Sequence, residues 1–270
     1  MVLQDFHIHS AFCDGENSPE ELVLSAIEKG LARIGICVHS PVAFDSGYFA
    51  EEEQFPVFQK ELARLKDKYK DKIEVLCGIE LDLFSDVDVS GFDYVIGSLH
   101  YVEADGEFFS VDDTYEKLEE GCRRHFGGDY LAVAERYYQT VAQVAEKTGC
   151  DIIGHFDIVA KFNAGNRLFD ENDPRYAAAW KAAADRLIAS GTPFEINTGG
   201  MSREYRSVPY PAPPILDYLA LHGARFILSS DAHSADDIAA DFEQFAQFCE
   251  EKRSANKQAG NIKDFFRQNL

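Results

Sequence analysis

The chain has 270 residues, is 46% hydrophobic and carries a formal net charge of −21. That length and apolar content suit one large domain, residues 1–270, with a sizeable core; the acidic balance excludes a general nucleic-acid binder, which needs a basic footprint. No apolar run approaches a membrane span, and the N-terminus lacks the charged and apolar regions of a signal peptide, so a cytoplasmic protein without a membrane partner is expected.

The first element is a strand over Leu3 to Ile8. Side chains alternate along a strand, so Asp5, His7 and His9 share one face while Phe6 and Ile8 share the other. Two imidazoles at a rigid strand end make half of a metal site. Ser18-Pro19-Glu20-Glu21 reads as a helix start, with Ser18 at the N-cap and Glu21 at N3, and the helix runs to about Gly30. Arg33 to His39 is a second strand, ending in histidine. Residues 40–54 form a loop in which Phe44, Tyr48 and Phe49 are candidates for a substrate wall; a charged amphipathic helix follows, from near Pro56 to Lys70.

Ile73 to Glu80 is a third strand and Phe92 to His100 a fourth. A turn is expected at Ala104-Asp105-Gly106, then a helix from about Val111, then a long helix from Tyr130 to Thr148. Asp151 to His155 is a fifth strand, followed by a polar loop over 161–173 and a helix from Pro174 to Ser190 that stops at Gly191. Thr192 to Asn197 is a sixth strand; a long loop over 198–213 contains Gly199-Gly200-Met201-Ser202-Arg203. A helix near Pro214 to His222 precedes the seventh strand, Arg225 to Asp231, and two further helices are expected over 236–250 and 262–269. Six cysteines, Cys13, Cys37, Cys77, Cys122, Cys150 and Cys249, show no CxxC spacing; Cys37 and Cys77 lie in apolar strands and read as buried thiols.

Strands alternating with helices imply parallel pairing through right-handed crossovers. Seven such strands in one domain predict a TIM-like barrel with one unit fewer, against an open doubly wound sheet as the alternative. The decisive pattern is polar: His9, His39, Glu80, His100, His155 and Asp231 each end a strand, and α/β barrels gather their chemistry at that end. With His7, Asp14 and His233 they make nine donors. One catalytic cation takes three or four protein ligands, so nine predict two or three divalent ions with a shared carboxylate. Glu80 is the natural bridge. The His and carboxylate mixture accepts Zn, Mn or Fe.

The motifs D-x-H-x-H-S at Asp5, Cys13-Asp14-Gly15, Gly78-Ile79-Glu80, Gly97-Ser98-Leu99-His100, Gly154-His155 and Asp231-Ala232-His233 resemble those of the PHP (polymerase and histidinol phosphatase) superfamily. The resemblance spans the chain and implies a distorted (βα)7 barrel with a trinuclear site. It implies that one ion takes His7, His9, Glu80 and Asp231, a second Glu80, His100 and His155, and a third Asp14, His39 and His233. Phe92 to His100, Gly154-His155-Phe156-Asp157 with Lys161-Phe162, and Glu195-Ile196-Asn197-Thr198 are similar to the histidinol-phosphate phosphatases of that superfamily, some of which carry arginine at the position of Lys161. The implied activity is hydrolysis of L-histidinol phosphate. The alternatives are a related phosphoesterase acting on a nucleotide or another small phosphate ester, a non-catalytic metal-dependent module, and metal-dependent amide hydrolysis.

Clustered divalent cations suit phosphate-ester hydrolysis, because they acidify a bridging water and neutralise charge on the transferring group. Three such ions against Asp14, Glu80 and Asp231 leave the pocket positive by about three charges inside an acidic protein. An anion can bind there and be repelled elsewhere. Arg203 is the first choice for a phosphate clamp, since a guanidinium matches phosphate oxygens; Arg206 and Lys161 are secondary. Asp5 is expected to hold an imidazole from behind, and Asp45 or Glu204 to meet a substrate cation.

Overall fold

A computed structural model describes residues 3–246. The first strand, β1, is short, Gln4–Asp5. Helix α1 (Pro19–Glu28) opens on the expected capping box, with Ser18 and Glu21 exchanging side chain to backbone hydrogen bonds. Then come β2 (Arg33–His39), α2 (Phe55–Tyr69), β3 (Glu74–Asp82) and β4 (Tyr94–Ser98). After the hairpin strands β5 (Tyr101–Ala104) and β6 (Glu107–Ser110) lie α3 (Tyr115–Phe126), α4 (Tyr130–Val141) and α5 (Val144–Thr148). The chain continues through β7 (Ile152–Ile153), α6 (Pro174–Ser190), β8 (Phe194–Asn197), α7 (Gly199–Ser202), α8 (Pro213–Leu221) and β9 (Phe226–Ser229).

Seven strands pair in parallel in the order β1-β2-β3-β4-β7-β8-β9. The two ends of that sheet meet: Ile8 bridges Ala232, and His9 N donates to Ala232 O at 2.8 Å. The sheet is therefore a distorted (βα)7 barrel and not the open doubly wound alternative. Closure also explains why the strand expected over Leu3 to Ile8 is interrupted. Beyond Asp5 this segment bridges to both flanks in turn, with Ile8 on Ala232 and His9 on Cys37.

Two interior layers set the height of the site. The lower one packs Phe6, Cys37, Tyr94, Ile96, Ile152 and Ile227 inside the barrel. Tyr94 crosses it because Gly35 and Gly78 leave room. A Cβ on Gly78 would sit 2.3 Å from the Tyr94 ring, a distance no packed carbon tolerates. With the floor filled by side chains, polar groups can occupy only the upper mouth. The outer core lies between sheet and helices, for example Leu22, Val23, Phe58, Leu62, Tyr137 and Leu187.

Besides β1, and the short helix α7 inside the loop expected over 198–213, three elements differ from expectation. The hairpin of β5 and β6 precedes α3, which therefore starts at Tyr115 and not near Val111. Its turn is the expected one, with Asp105 at φ 53° and Gly106 at φ 78°, the left-handed pair that suits a two-residue hairpin. The long helix predicted from Tyr130 to Thr148 is broken between Val141 and Val144. There Thr140 Oγ1 and Gln143 Nε2 donate to the carbonyls of Arg136 and Gln139, and side chains that compete for helix carbonyls bend helices. The helix expected over 236–250 begins with a 3-10 turn, Ala235–Asp237; its last residues and the helix expected over 262–269 lie outside the described residues. Cys37 and Cys77 are buried, as expected. Among the described residues no helix is long and apolar enough to cross a membrane.

Candidate metal centre

All nine donors converge at the C-terminal mouth of the barrel. Glu80, fully buried at the end of β3, is the hub. Its Oε2 lies 3.1 Å from His7 Nε2, 3.4 Å from His9 Nε2 and 2.9 Å from His39 Nδ1. Its Oε1 lies 2.7 Å from His155 Nε2 and 3.3 Å from His100 Nε2. Asp231 Oδ1 stands 3.7 Å from His7 Nε2 and 3.6 Å from His9 Nε2. Asp14 closes the outer side, 3.4 Å from His39 Nε2 and 3.2 Å from His233 Nε2.

Three donor groups each bring their ligand atoms within 4.8 Å of one another: His7, His9 and Glu80; His39, Glu80 and His100; and His9, Asp14, His39 and His233. Four buried atoms at the centre, His7 Nε2, His9 Nε2, His39 Nδ1 and Glu80 Oε2, have no hydrogen-bond partner, although they approach as pairs. Three imidazole nitrogens thus crowd one carboxylate oxygen without forming a hydrogen bond to it. A buried polar atom left unpaired costs about 1–3 kcal/mol, and a cation accepting those lone pairs removes that cost. The donor set thus fits divalent metal ions.

Charge inside this cluster is strongly coupled. Burial pushes the His7 imidazole down, but the carboxylates of Glu195, Glu80 and Asp231 overcome it and hold it well above the usual histidine value. His100 is raised against its burial by Glu80 and Asp112, and His39 is raised to about 9 against its burial by Asp14 and Glu80. His9 goes the other way, to about 3, because burial is reinforced by His39 and His233. Burial raises Glu80, Asp14 and Asp231, but neighbouring imidazoles, and Arg203 beside Asp231, overcome it and hold them below the carboxylate range.

The inward-facing imidazoles are steered from behind. Glu195 Oε2 lies 2.9 Å from His7 Nδ1, and Asp82 Oδ2 lies 3.0 Å from His100 Nδ1. Cys13 Sγ sits 3.6 Å from His9 Nδ1. Such contacts fix the tautomer that leaves Nε2 free to ligate. Sequence reasoning missed Asp82 and Glu195 as functional groups. Their signal was spacing: Asp82 follows Glu80 by two and shares its face, and Glu195 precedes Asn197 by two. Asn197 in turn donates to Glu195 and Asp231.

Arg203 and Lys161 both line the mouth, a cavity of ≈ 180 Å³. Arg203 lies 2.8 Å from His233 Nδ1 through Nη1 and donates to Asp231 Oδ2 at 3.1 Å. Lys161 Nζ donates to the Asp112 carbonyl at 2.6 Å and lies 4.4 Å above the Tyr205 ring. Tyr48 forms part of the wall, edge-on to His39 at 4.8 Å.

Other secondary candidates lie elsewhere. Arg206 is buried against Glu171 and Asp157, away from the mouth. Asp5 holds no imidazole: its carboxylate accepts from Ser230 N, Ser230 Oγ and Ala239 N, which ties β1 to the chain after β9. Phe44 stacks on Phe108, and Phe49 packs against Tyr48. Asp45 is engaged by the Tyr101 hydroxyl and Ser46 N, and Glu204 is exposed.

An α/β barrel whose C-terminal mouth gathers buried histidines and carboxylates around a shared glutamate is the architecture of a metal-dependent enzyme. The chain belongs to the PHP domain family, whose model matches residues 5–199. It is 29% identical over 247 residues to a Deinococcus radiodurans protein named "Probable histidinol-phosphatase", covering 87% of this chain and 88% of that one. A crystal structure from Listeria monocytogenes superposes with a TM-score of 0.79 at 22% identity, over 90% of this chain and 99% of that one. A histidinol phosphate phosphatase from Lactococcus lactis, solved with Zn, L-histidinol and phosphate, gives a TM-score of 0.68 at 21% identity, over 93% and 94%.

Proposed function

We propose that this protein is a metal-dependent phosphomonoesterase that hydrolyses L-histidinol phosphate to L-histidinol and phosphate, with a trinuclear site. The observation that carries the reading is the clustering of buried histidine nitrogens without hydrogen-bond partners around Glu80, beneath a mouth that also holds Arg203 and Lys161. His7, His9, Glu80 and Asp231 would hold one ion, Glu80, His100 and His155 a second, and Asp14, His39 and His233 a third, with His39 also within reach of Glu80. Bound divalent cations would supply an acidified water and neutralise phosphoryl charge. Zinc is supported by the Lactococcus lactis structure and by the imidazole-rich donor set.

The chain's own groups do the rest. Arg203 binds the phosphoryl oxygens, and its guanidinium is already oriented by Asp231 and His233. Lys161 adds a second positive charge on the same side. Glu195 and Asp82 keep the proton of His7 and His100 on Nδ1, and the filled barrel floor excludes water from below. The named relative supports histidinol phosphate over a nucleotide. We infer a cytoplasmic location, which the unpaired Cys13, Cys37, Cys77, Cys122 and Cys150 support.

The test is phosphate release from a panel of phosphomonoesters and nucleotides, with metal-loaded and chelated protein. Histidinol phosphate should be the preferred substrate and chelation should abolish turnover. Inactivity of metal-replete protein on the whole panel removes the reading; preference for a nucleotide replaces its substrate.

A further inference from the structure

We propose that Asp112 sets specificity at this mouth by binding an ammonium group carried on the carbon next to the ester carbon of the substrate. The inference rests on the phosphomonoesterase reading. Asp112 follows β6 and is fixed from two sides. Val111 N donates to His100 O at 3.0 Å, tying the segment to the end of β4, and Lys161 Nζ donates to the Asp112 carbonyl. Its side chain lines the cavity with Tyr48 and His100.

Among the described residues, Asp112 is the one carboxylate lining the mouth that lies outside the donor cluster and pairs with no cationic side chain. Oδ1 accepts from Ser110 Oγ at 3.1 Å, and Oδ2 accepts from no described residue. Asp113, beside it, is taken by Lys117. Asp14 faces His39 and His233, and Asp45 faces Tyr101. Arg203 and Lys161 place positive charge in the same cavity, which leaves Asp112 as the anionic partner for whatever cation the substrate brings.

Reach decides between this carboxylate and those further out. With bonds of about 1.5 Å, an ammonium one carbon from the ester carbon lies about 3–4 Å from the ester oxygen. It must then be met inside the same small mouth. The neighbouring cavity lined by Phe44, Asp45 and Phe108 is partitioned from the mouth by the bonded hydroxyls of Tyr48 and Tyr101, the second of which also occupies Asp45.

The test measures kcat/KM for two ester pairs: L-histidinol phosphate against 3-(imidazol-4-yl)propyl phosphate, and 2-aminoethyl phosphate against ethyl phosphate. The ratio within a pair is the ammonium preference. Wild type should prefer the amine by about tenfold or more, the scale of a charge-assisted hydrogen bond. Asp112→Asn, with metal content verified, should cut that ratio by about tenfold, and Asp112→Glu should restore part of it. No amine preference in the wild type, whether or not the variants fold, overturns the proposal, as does an unchanged ratio in metal-loaded Asp112→Asn. The substrate reading fails separately, if histidinol phosphate is not cleaved while 2-aminoethyl phosphate keeps a preference that depends on Asp112.

Discussion

Replacing Glu195 by glutamine tests whether the metal centre depends on groups behind it. The Glu195 carboxylate meets three donors: His7 Nδ1 at 2.9 Å on Oε2, and His155 N at 2.5 Å and Asn197 Nδ2 at 2.9 Å on Oε1. A glutamine has one acceptor end and one donor end. If its NH2 faces His7, that Nδ1 must become an acceptor and the proton moves to Nε2, the nitrogen 3.1 Å from Glu80, which can then no longer ligate. If the amide turns over, its NH2 faces the His155 N–H and the Asn197 NH2. Each buried donor left unpaired costs about 1–3 kcal/mol. Outer partners of ligating histidines are worth about 10–100-fold in metal affinity, or about 1.4–2.7 kcal/mol. Glu195→Gln should therefore weaken metal binding by about 10–100-fold, read by competition with a chromogenic chelator. Its melting temperature should recover with excess metal. An affinity within about twofold of wild type in a folded variant would refute the steering argument, since the stated mechanism predicts at least a tenfold loss.

Arg203→Ala should lower kcat/KM for a phosphomonoester by about 100- to 1,000-fold, the scale for removing one donor aimed at developing charge; unchanged efficiency with normal metal content removes Arg203 from the site. Metal-free protein should lose stability as pH rises. The His39 value is raised from 6.5 to about 9 in the folded state, so its contribution, on the order of 3 kcal/mol, is complete below pH 6.5 and lost through pH 9. His7 and His100 act in the same direction, while the depressed values of Glu80 and Asp14 remove stability only on the acid side. The depressed value of His9 acts the opposite way only below about pH 7, so melts of chelated protein between pH 7 and 9.5 check this, and a flat or rising profile contradicts it. Gly78→Ala should destabilise the barrel by about 1–3 kcal/mol through overpacking against Tyr94, measured by denaturant unfolding with metal held constant; a neutral result means that the lower layer yields more easily than its packing implies.

The donor set was legible because strand ends are short-range features. His39, Glu80, His100 and His155 each follow an apolar run whose length fixes which end faces the mouth, and a parallel barrel sends those ends to one side. The groups behind the donors were harder to read. Glu195 sits inside Phe194–Asn197, a strand buried throughout, where a single glutamate gives no hint of its partner 188 residues away. Asp5 misled for a related reason. Its alternation with His7 and His9 is real, but the ladder breaks after it, and its carboxylate turns to Ser230 and Ala239. Asp112 escaped notice because the hairpin that delivers it interrupts a stretch read as turn and helix.

The order of the strands says when the site can exist. His7 and His9 enter with the first turn of the chain, and Asp231 and His233 with the last strand; they meet across the seam where Ile8 bridges Ala232. Glu80, on β3, touches His7 and His9, and His7 and His9 face Asp231 across the seam. Neither half of the barrel can therefore form the centre alone. Bringing these carboxylates together concentrates negative charge in a chain already at −21, and like charges at this spacing oppose closure. The imidazoles relieve that only in part, since His9 is held neutral by burial and its neighbours. Cations at the mouth would offset the remainder and, by binding across the seam, stabilise the closed barrel. Metal binding and barrel closure are on this account two sides of one equilibrium.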